Sequence, residues 1–145
     1  TLLEIVEDLV RSAYQQGFRR MLFLNGHGGN NPATGRIYEL VNELSDLRVS
    51  WYSWWQERSV EQIALKYQLK PTHANWLEAF PFTRVCDLPK EKKVPPVETG
   101  LMSAVETRKV FGDGSFGGEY VVGEEIYREI LQACLEDVLT MLRFE

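Results

Sequence analysis

Between Arg20 and Trp54 the chain changes its hydrophobic period twice, and this restricts the fold more than any other feature. Arg20-Met21-Leu22-Phe23-Leu24 is a short apolar run. The residues from Pro32 to Ser45 place Ile37, Leu40, Val41 and Leu44 on one helical face, and Leu47 to Trp54 is apolar and aromatic again. Short apolar runs read as buried strands, and the i, i+3, i+4 spacing between them reads as a helix. Strand, helix, strand in succession predicts a right-handed crossover, a parallel strand pair and therefore an α/β fold.

The rest of the chain supplies helices around this unit. Leu2, Ile5, Val6, Leu9, Val10 and Ala13 recur at helical spacing, with Thr1 expected as N-cap, Glu4 closing a capping box and Gly17 ending the helix. Helical patterns also cover about Val60 to Tyr67 and a stretch following Thr72. Glu124 to Leu142 reads as a long amphipathic helix through Ile126, Ile130, Leu131, Leu135, Val138 and Leu142, its first-turn Glu124 and Glu125 suiting the positive helix end. Pro81 to Gly118 reads as irregular, and Lys90-Glu91-Lys92-Lys93-Val94-Pro95-Pro96 within it as an exposed, mobile loop at about residues 88–98. There are no internal repeats. The chain opens directly at an element boundary without an initiator Met, which reads as a piece of something longer.

With 145 residues, 44% hydrophobic and 12% aromatic, the chain has the material for one domain with a real core. Its net charge of -5 argues against a nucleic-acid partner, because phosphate backbones demand an excess of Lys and Arg. Small molecules or proteins are the expected partners. Cys86 and Cys134 form no CxxC pattern and read as packing thiols. With no signal-like or membrane-length apolar segment, they point to a cytoplasmic protein with no membrane partner.

The chemistry is concentrated where the first strand meets its helix, at Asn25-Gly26-His27-Gly28-Gly29-Asn30. Ligands of open α/β sheets bind beyond the carboxyl ends of strands, and glycines let backbone approach whatever the loop holds. A lone GxGG would ordinarily be a turn carrying an incidental His. Anion binding at the following helix is disfavoured, since the stretch has neither the GxGxxG register nor a P-loop Lys. These six residues resemble the NGHGGN signature of the creatininase (creatinine amidohydrolase) family. The resemblance implies a three-layer α/β fold with a mainly parallel sheet, here incomplete at its N-terminus, and a binuclear divalent metal site of zinc, manganese or both. It makes His27 a metal ligand, with Gly28, Gly29 and Asn30 bordering the substrate. An imidazole suits such a site, and Asn25 and Asn30 are expected to orient the loop by side-chain to backbone hydrogen bonds.

A second stretch extends the resemblance. Thr72-His73-Ala74-Asn75-Trp76-Leu77-Glu78-Ala79-Phe80 is similar to the family's HAGExETS motif at His73, Ala74 and Glu78, and departs from it at Asn75, Trp76, Ala79 and Phe80. Taken alone, a HAxxxE pair is usually a helix start with a solvated Glu. By the family analogy Glu78 is a metal ligand and His73 carries a proton to the leaving amine. On a helix the two would stand about 140° apart, lining a site from two sides.

Two aromatic and glycine-rich stretches complete the candidate site. In Trp51-Tyr52-Ser53-Trp54-Trp55, strand alternation would put Trp51, Ser53 and Trp55 on one face. Most of these rings read as core, but Trp54 or Trp55 at the strand's carboxyl end is a candidate wall over a flat amide substrate. Gly112-Asp113-Gly114-Ser115-Phe116-Gly117-Gly118-Glu119-Tyr120 reads either as a flexible surface loop or, by the resemblance, as a loop closing over substrate at Gly117 and Gly118. Asp113 and Glu119 would then face ligand or a neighbouring subunit.

The family's N-terminal ligand segment, resembling ExHGPHLPLGTD, has no counterpart here. Two ligands do not make a binuclear site, since one zinc shell takes about four. The expectation is therefore a fragment, or a chain whose missing half comes from elsewhere. The implied parent is a metal-dependent amidohydrolase acting on a non-peptide C–N bond of a cyclic amide or formamide through a metal-bound hydroxide, in a homo-oligomer that family habit makes a hexamer. The alternative is a non-catalytic split subunit serving as an interaction partner.

Overall fold

A computed structural model describes residues 1–97 and 100–145; Glu98, at the end of the expected mobile loop, and Thr99 lie outside the described residues. The chain divides into two compact units, one of residues 1–60 with 133–145 and the other of residues 61–132.

The first unit is the strand–helix–strand of the sequence with a helix laid on it. Helix α1 (Leu2–Gln15) runs into strand β1 (Arg20–Asn25), helix α2 (Ala33–Glu43) and strand β2 (Arg48–Ser53). The strands pair in parallel, from Arg20 opposite Arg48 to Asn25 opposite Ser53. Alternation sends Met21, Phe23, Val49 and Trp51 to one face. There they pack on a core of Val6, Val10, Ala33, Ile37, Leu40 and Leu47, and Phe23 and Trp51, paired in register, stack with ring centroids 5.8 Å apart. Burying the five larger of these side chains, each worth about 1.5–3 kcal/mol, is what fixes the two helices to the sheet. Around that core Arg11 reaches Glu7 of its own helix and Glu43 of α2, while Arg36 meets Glu7 from α2.

Local signals behaved unevenly. Gly17 ends α1 at φ +97°, and the Phe18 N–H returns to the Ala13 carbonyl. Only half of the capping box expected at Thr1 forms: Glu4 reaches back to the Thr1 nitrogen, while the Thr1 side chain makes no cap bond. A capping box does form where the sequence reading had only irregular chain. Ser103 and Glu106 cap a helix α4 (Ala104–Phe111) inside the Pro81–Gly118 stretch.

The second unit holds most of helix α3 (Arg58–Lys66), α4 and the start of helix α5 (Glu124–Met141). Ile63, Ala64, Trp76, Leu77, Phe80, Phe111, Ile126, Tyr127 and Ile130 are buried in it, Trp76 completely. Lys66 and Tyr67 both bind the Glu129 carboxylate, and the Phe80 and Tyr127 rings meet at 5.1 Å. The segment expected to be a mobile loop is anchored: Lys93 and Gly118 exchange both backbone hydrogen bonds, at 3.0 and 2.9 Å. Among the described residues no helix is long and apolar enough to cross a membrane.

Candidate functional site

The His27 loop is organised from within. Asn25, the last residue of β1, is buried and uses all four of its side-chain hydrogen-bonding positions. Its amide donates to Asn31 Oδ1 and to Ser53 Oγ, both at 3.0 Å. Its Oδ1 accepts from the His27 N–H at 3.2 Å and from Asn30 Nδ2 at 3.1 Å. A buried amide so fully paired specifies one loop conformation, because each alternative leaves a polar group unsatisfied. The expected role of Asn25 is thus met by a backbone bond. Asn30 departs from its expected role, since its side chain binds the Asn25 side chain rather than backbone. Ser53 was not singled out in the sequence. It becomes visible only through the register, which sets it opposite Asn25 and lets it also accept from Trp51 Nε1.

The loop presents an exposed imidazole at the end of β1. His27 caps a single 3-10 turn over Gly28–Asn30, its Nδ1 accepting the Gly29 N–H at 3.0 Å. An amide N–H can only donate, so Nδ1 carries the lone pair and the proton of the neutral ring sits on Nε2. The ring lies directly on Gly29, where an added methyl would come within 2.9 Å of Nδ1.

Of the two candidate tryptophans, Trp55 borders this loop: a methyl at Gly28 would meet its ring at 3.9 Å. Alternation does not extend to Trp55, because β2 ends at Ser53 and Trp54–Gln56 form a 3-10 turn. The two indoles meet edge to face at 6.0 Å. Behind β2, Tyr52 is buried with its hydroxyl toward Asp137, which also accepts from Ser59 Oγ. Burial, followed by the half-buried Cys134 beside it, pushes the Tyr52 phenol well above its ordinary range. Cys134 is raised chiefly by burial. Cys86 is exposed rather than a packing thiol.

His73 and Glu78 do not lie on an α-helix. Ala74 takes a left-handed φ of +50°, Asn75 is extended, and only Trp76–Glu78 form a 3-10 turn. The departures from the family motif account for this. Asn75 caps the turn by accepting the Leu77 N–H and ties it to the Lys70 carbonyl. Trp76, Ala79 and Phe80 are core. Glu78, exposed, folds back so that Oε1 accepts the Ala74 N–H at 2.8 Å. His73 is exposed too, with Nδ1 at 2.9 Å from the Gly114 carbonyl. A carbonyl can only accept, so here Nδ1 holds the proton and Nε2 the lone pair.

The glycine-rich stretch is packed on His73 rather than loose. Its Phe116 N–H donates to the His73 carbonyl, Thr72 Oγ1 donates to the Gly117 carbonyl, and the His73 and Phe116 rings lie 4.9 Å apart. Gly114, Gly117 and Gly118 all have φ near +90° or above, and at Gly117 an added methyl would strike the Pro95 backbone at 2.7 Å. Asp113 and Glu119 face lysines of the same unit, Lys93 and Lys92. Hydrogen bonds from Lys93 and then Tyr120 hold the Asp113 carboxyl down at about 2.

The structure thus brings together His27, Gly28, Gly29, Asn30 and Trp55 in one unit, and His73, Glu78, Gly117 and Gly118 in the other. Among the described residues no three His, Cys, Asp or Glu side chains come together as a metal-holding group. A binuclear metal site therefore does not fit a donor set drawn from these residues alone.

A family model described as creatinine amidohydrolase matches residues 1–142. No curated protein sequence matched the chain. A solved structure, a tryptophan-to-phenylalanine mutant of creatininase, is 21% identical and superposes with a TM-score of 0.69. The match covers 98% of this chain and 62% of that one, so the chain spans less than two thirds of its structural relative. The α/β fold built on a parallel strand pair and a family match over nearly every residue agree: the chain belongs to the creatininase family.

Proposed function

We propose that the whole protein is an amidohydrolase acting on a C–N bond other than a peptide bond, in a small cyclic amide or formamide, with His73 as the proton carrier. Family membership supports hydrolysis of this bond class. The observation that carries the role of His73 is its bond to the Gly114 carbonyl, which leaves Nε2 as the basic nitrogen of the neutral ring. A nitrogen of that kind can take a proton from attacking water and return it to the leaving amine. Trp55 supplies a flat apolar wall beside Gly28.

A divalent metal, zinc or manganese, would lower the pKa of a coordinated water and polarise the carbonyl. Its remaining ligands would have to come from outside these residues. His27 and Glu78 are the contributions this chain offers, and homo-oligomerisation is part of the same proposal. Leu135, Leu139 and Leu142 of α5 and the residue following it are 50, 61 and 53% exposed, and their spacing puts them on one side of the helix.

The test is His73→Ala in the full-length protein, assayed against a panel of cyclic amides and formamides. Turnover should fall about a hundredfold or more, the scale of lost acid–base catalysis, with bound metal unchanged. Equal turnover would refute the role, and lost metal would make His73 a ligand.

A second reading, a non-catalytic partner subunit, is favoured by a specific feature: the acceptor atoms His27 Nδ1 and Glu78 Oε1 both bind amides of their own loops. Stoichiometric zinc or manganese uptake by the full-length protein that is lost in His27→Ala would argue against it.

A further inference from the structure

We infer that Asp113, with Lys93 and Tyr120, is a positioning group that decides which nitrogen of His73 carries the proton. The inference rests on the proposed role of His73 and names what sets it. A neutral imidazole exchanges readily between two tautomers, and only a fixed partner on one nitrogen holds the other in the basic form. That partner is the Gly114 carbonyl. Gly114 sits in a left-handed conformation, φ +88°, which open chain would not keep on its own.

Asp113 keeps it there. Its Oδ1 accepts the Ser115 N–H at 3.1 Å, closing a turn around Gly114, and the same oxygen accepts the Lys93 ammonium while Oδ2 accepts the Tyr120 hydroxyl. Lys93 also donates to the Phe111 carbonyl at 2.6 Å, so its ammonium joins the end of α4 to the turn. The paired backbones of Lys93 and Gly118 hold the far side of the loop. The Phe116 ring, stacked on Phe111 at 4.4 Å and beside His73 at 4.9 Å, fixes the imidazole plane. Replacing the Asp113 carboxylate by an amide takes the acceptor from Tyr120 and the charge from Lys93 and leaves one neutral oxygen for Ser115, so the turn slackens and the Gly114 carbonyl loses its fixed aim at Nδ1.

The experiment uses full-length protein labelled with 15N at histidine, with long-range 1H–15N spectra at neutral pH. The His73 signals are assigned by their loss in His73→Gln. Wild-type His73 should show a protonated Nδ1 and a bare Nε2. In Asp113→Asn the two nitrogens should move toward a mixed population, with at least a threefold rise in the Nε2–H form. Tyr120→Phe keeps the Lys93 pair and should shift the population the same way but less, which guards against a variant that fails to fold. A wild-type His73 protonated at Nε2, or an unchanged tautomer in folded Asp113→Asn and Tyr120→Phe, would overturn the inference. If His73→Gln leaves turnover unchanged, the catalytic reading fails, and the tautomer result still decides the positioning claim.

Discussion

The two histidines of this chain stand on loops built in opposite ways. His27 is bonded by residues two or three places away in sequence, in a loop that Asn25 ties together with Ser53 as an outside support. His73 is held by residues far along the chain: Gly114, Phe116 and, through Thr72, Gly117. The outcomes are opposite as well. His27 accepts an amide proton at Nδ1, and His73 donates from Nδ1 to a carbonyl. A loop that is organised locally can survive changes elsewhere, whereas a loop assembled from distant segments depends on the core that brings them together.

That dependence is largest at Trp76. It is fully buried, its N–H donates to the Glu119 carbonyl and its indole to the Lys70 carbonyl. Trp76→Ala should destabilise the second unit by about 3–5 kcal/mol, the usual scale for a buried aromatic. Amide exchange around His73 should accelerate while that around His27 stays slow. Equal acceleration in both loops, followed by mass spectrometry, would erase the proposed independence.

Next in size are two substitutions, one in each loop. Gly117→Ala forces a methyl onto the Pro95 backbone at φ +99°, a strain of about 1–3 kcal/mol confined to the second unit. Asn25→Ala strands Asn30, Asn31 and the His27 N–H and takes one of two partners from Ser53, at about 1–3 kcal/mol, confined to the first. Urea unfolding gives the losses. Exchange at the His27 amide, fast in Asn25→Ala and unchanged in Gly117→Ala, checks where they fall.

The same contrast explains what could be read from sequence. The His27 loop was legible because its strand, its glycines and its organising Asn25 lie in one contiguous stretch. The turn at Ala74 was not. A helix after Thr72 is what the apolar spacing suggests, and it is defeated by the Asn75 cap and by the Trp76 N–H bonding to Glu119, a partner 43 residues on. Long-range bonds leave no local pattern. The packing of the glycine-rich loop was hidden for the same reason, since Lys93 reads as one more charge in a basic run until it is seen beside Asp113. Helix α4 is a different case, for its Ser103–Glu106 box stood in the sequence and the glycines and prolines around it masked the signal.

A smaller effect follows from pH. The Asp113 carboxyl lies at about 2 against an ordinary 3.8, lowered first by Lys93 and then by Tyr120. A depressed pKa means that the folded state binds fewer protons, so the contribution is complete above about pH 4 and is lost as pH falls toward 2. The side chain is half exposed, so solvent screens much of it. Acid titration followed by amide exchange should therefore loosen Ser115 and Phe116 between pH 4 and 2. Loosening already complete at pH 5 would contradict the assignment.

The smallest stability change belongs to Gly29→Ala, and it tests the His27 side of the comparison directly. Gly29 has no positive φ, so alanine is conformationally acceptable there and gains about 0.4–1 kcal/mol by restricting the unfolded chain. Against that gain, the new methyl would meet His27 Nδ1 at 2.9 Å and Cε1 at 3.1 Å, so the ring must swing aside and give up the Gly29 N–H. An exposed hydrogen bond of this kind contributes about 0.5–1.5 kcal/mol, so the two terms nearly cancel and the melting temperature should barely move. The imidazole should change far more than the fold does. With Nδ1 released from the Gly29 amide, that bond no longer reserves the proton for Nε2. Histidine 15N spectra should then show His27 moving from the Nε2–H form to a mixture while His73 keeps its proton on Nδ1. An unmoved His27 would mean that the amide of Gly29 does not govern this ring, and a moved His73 would mean that the two loops are not independent.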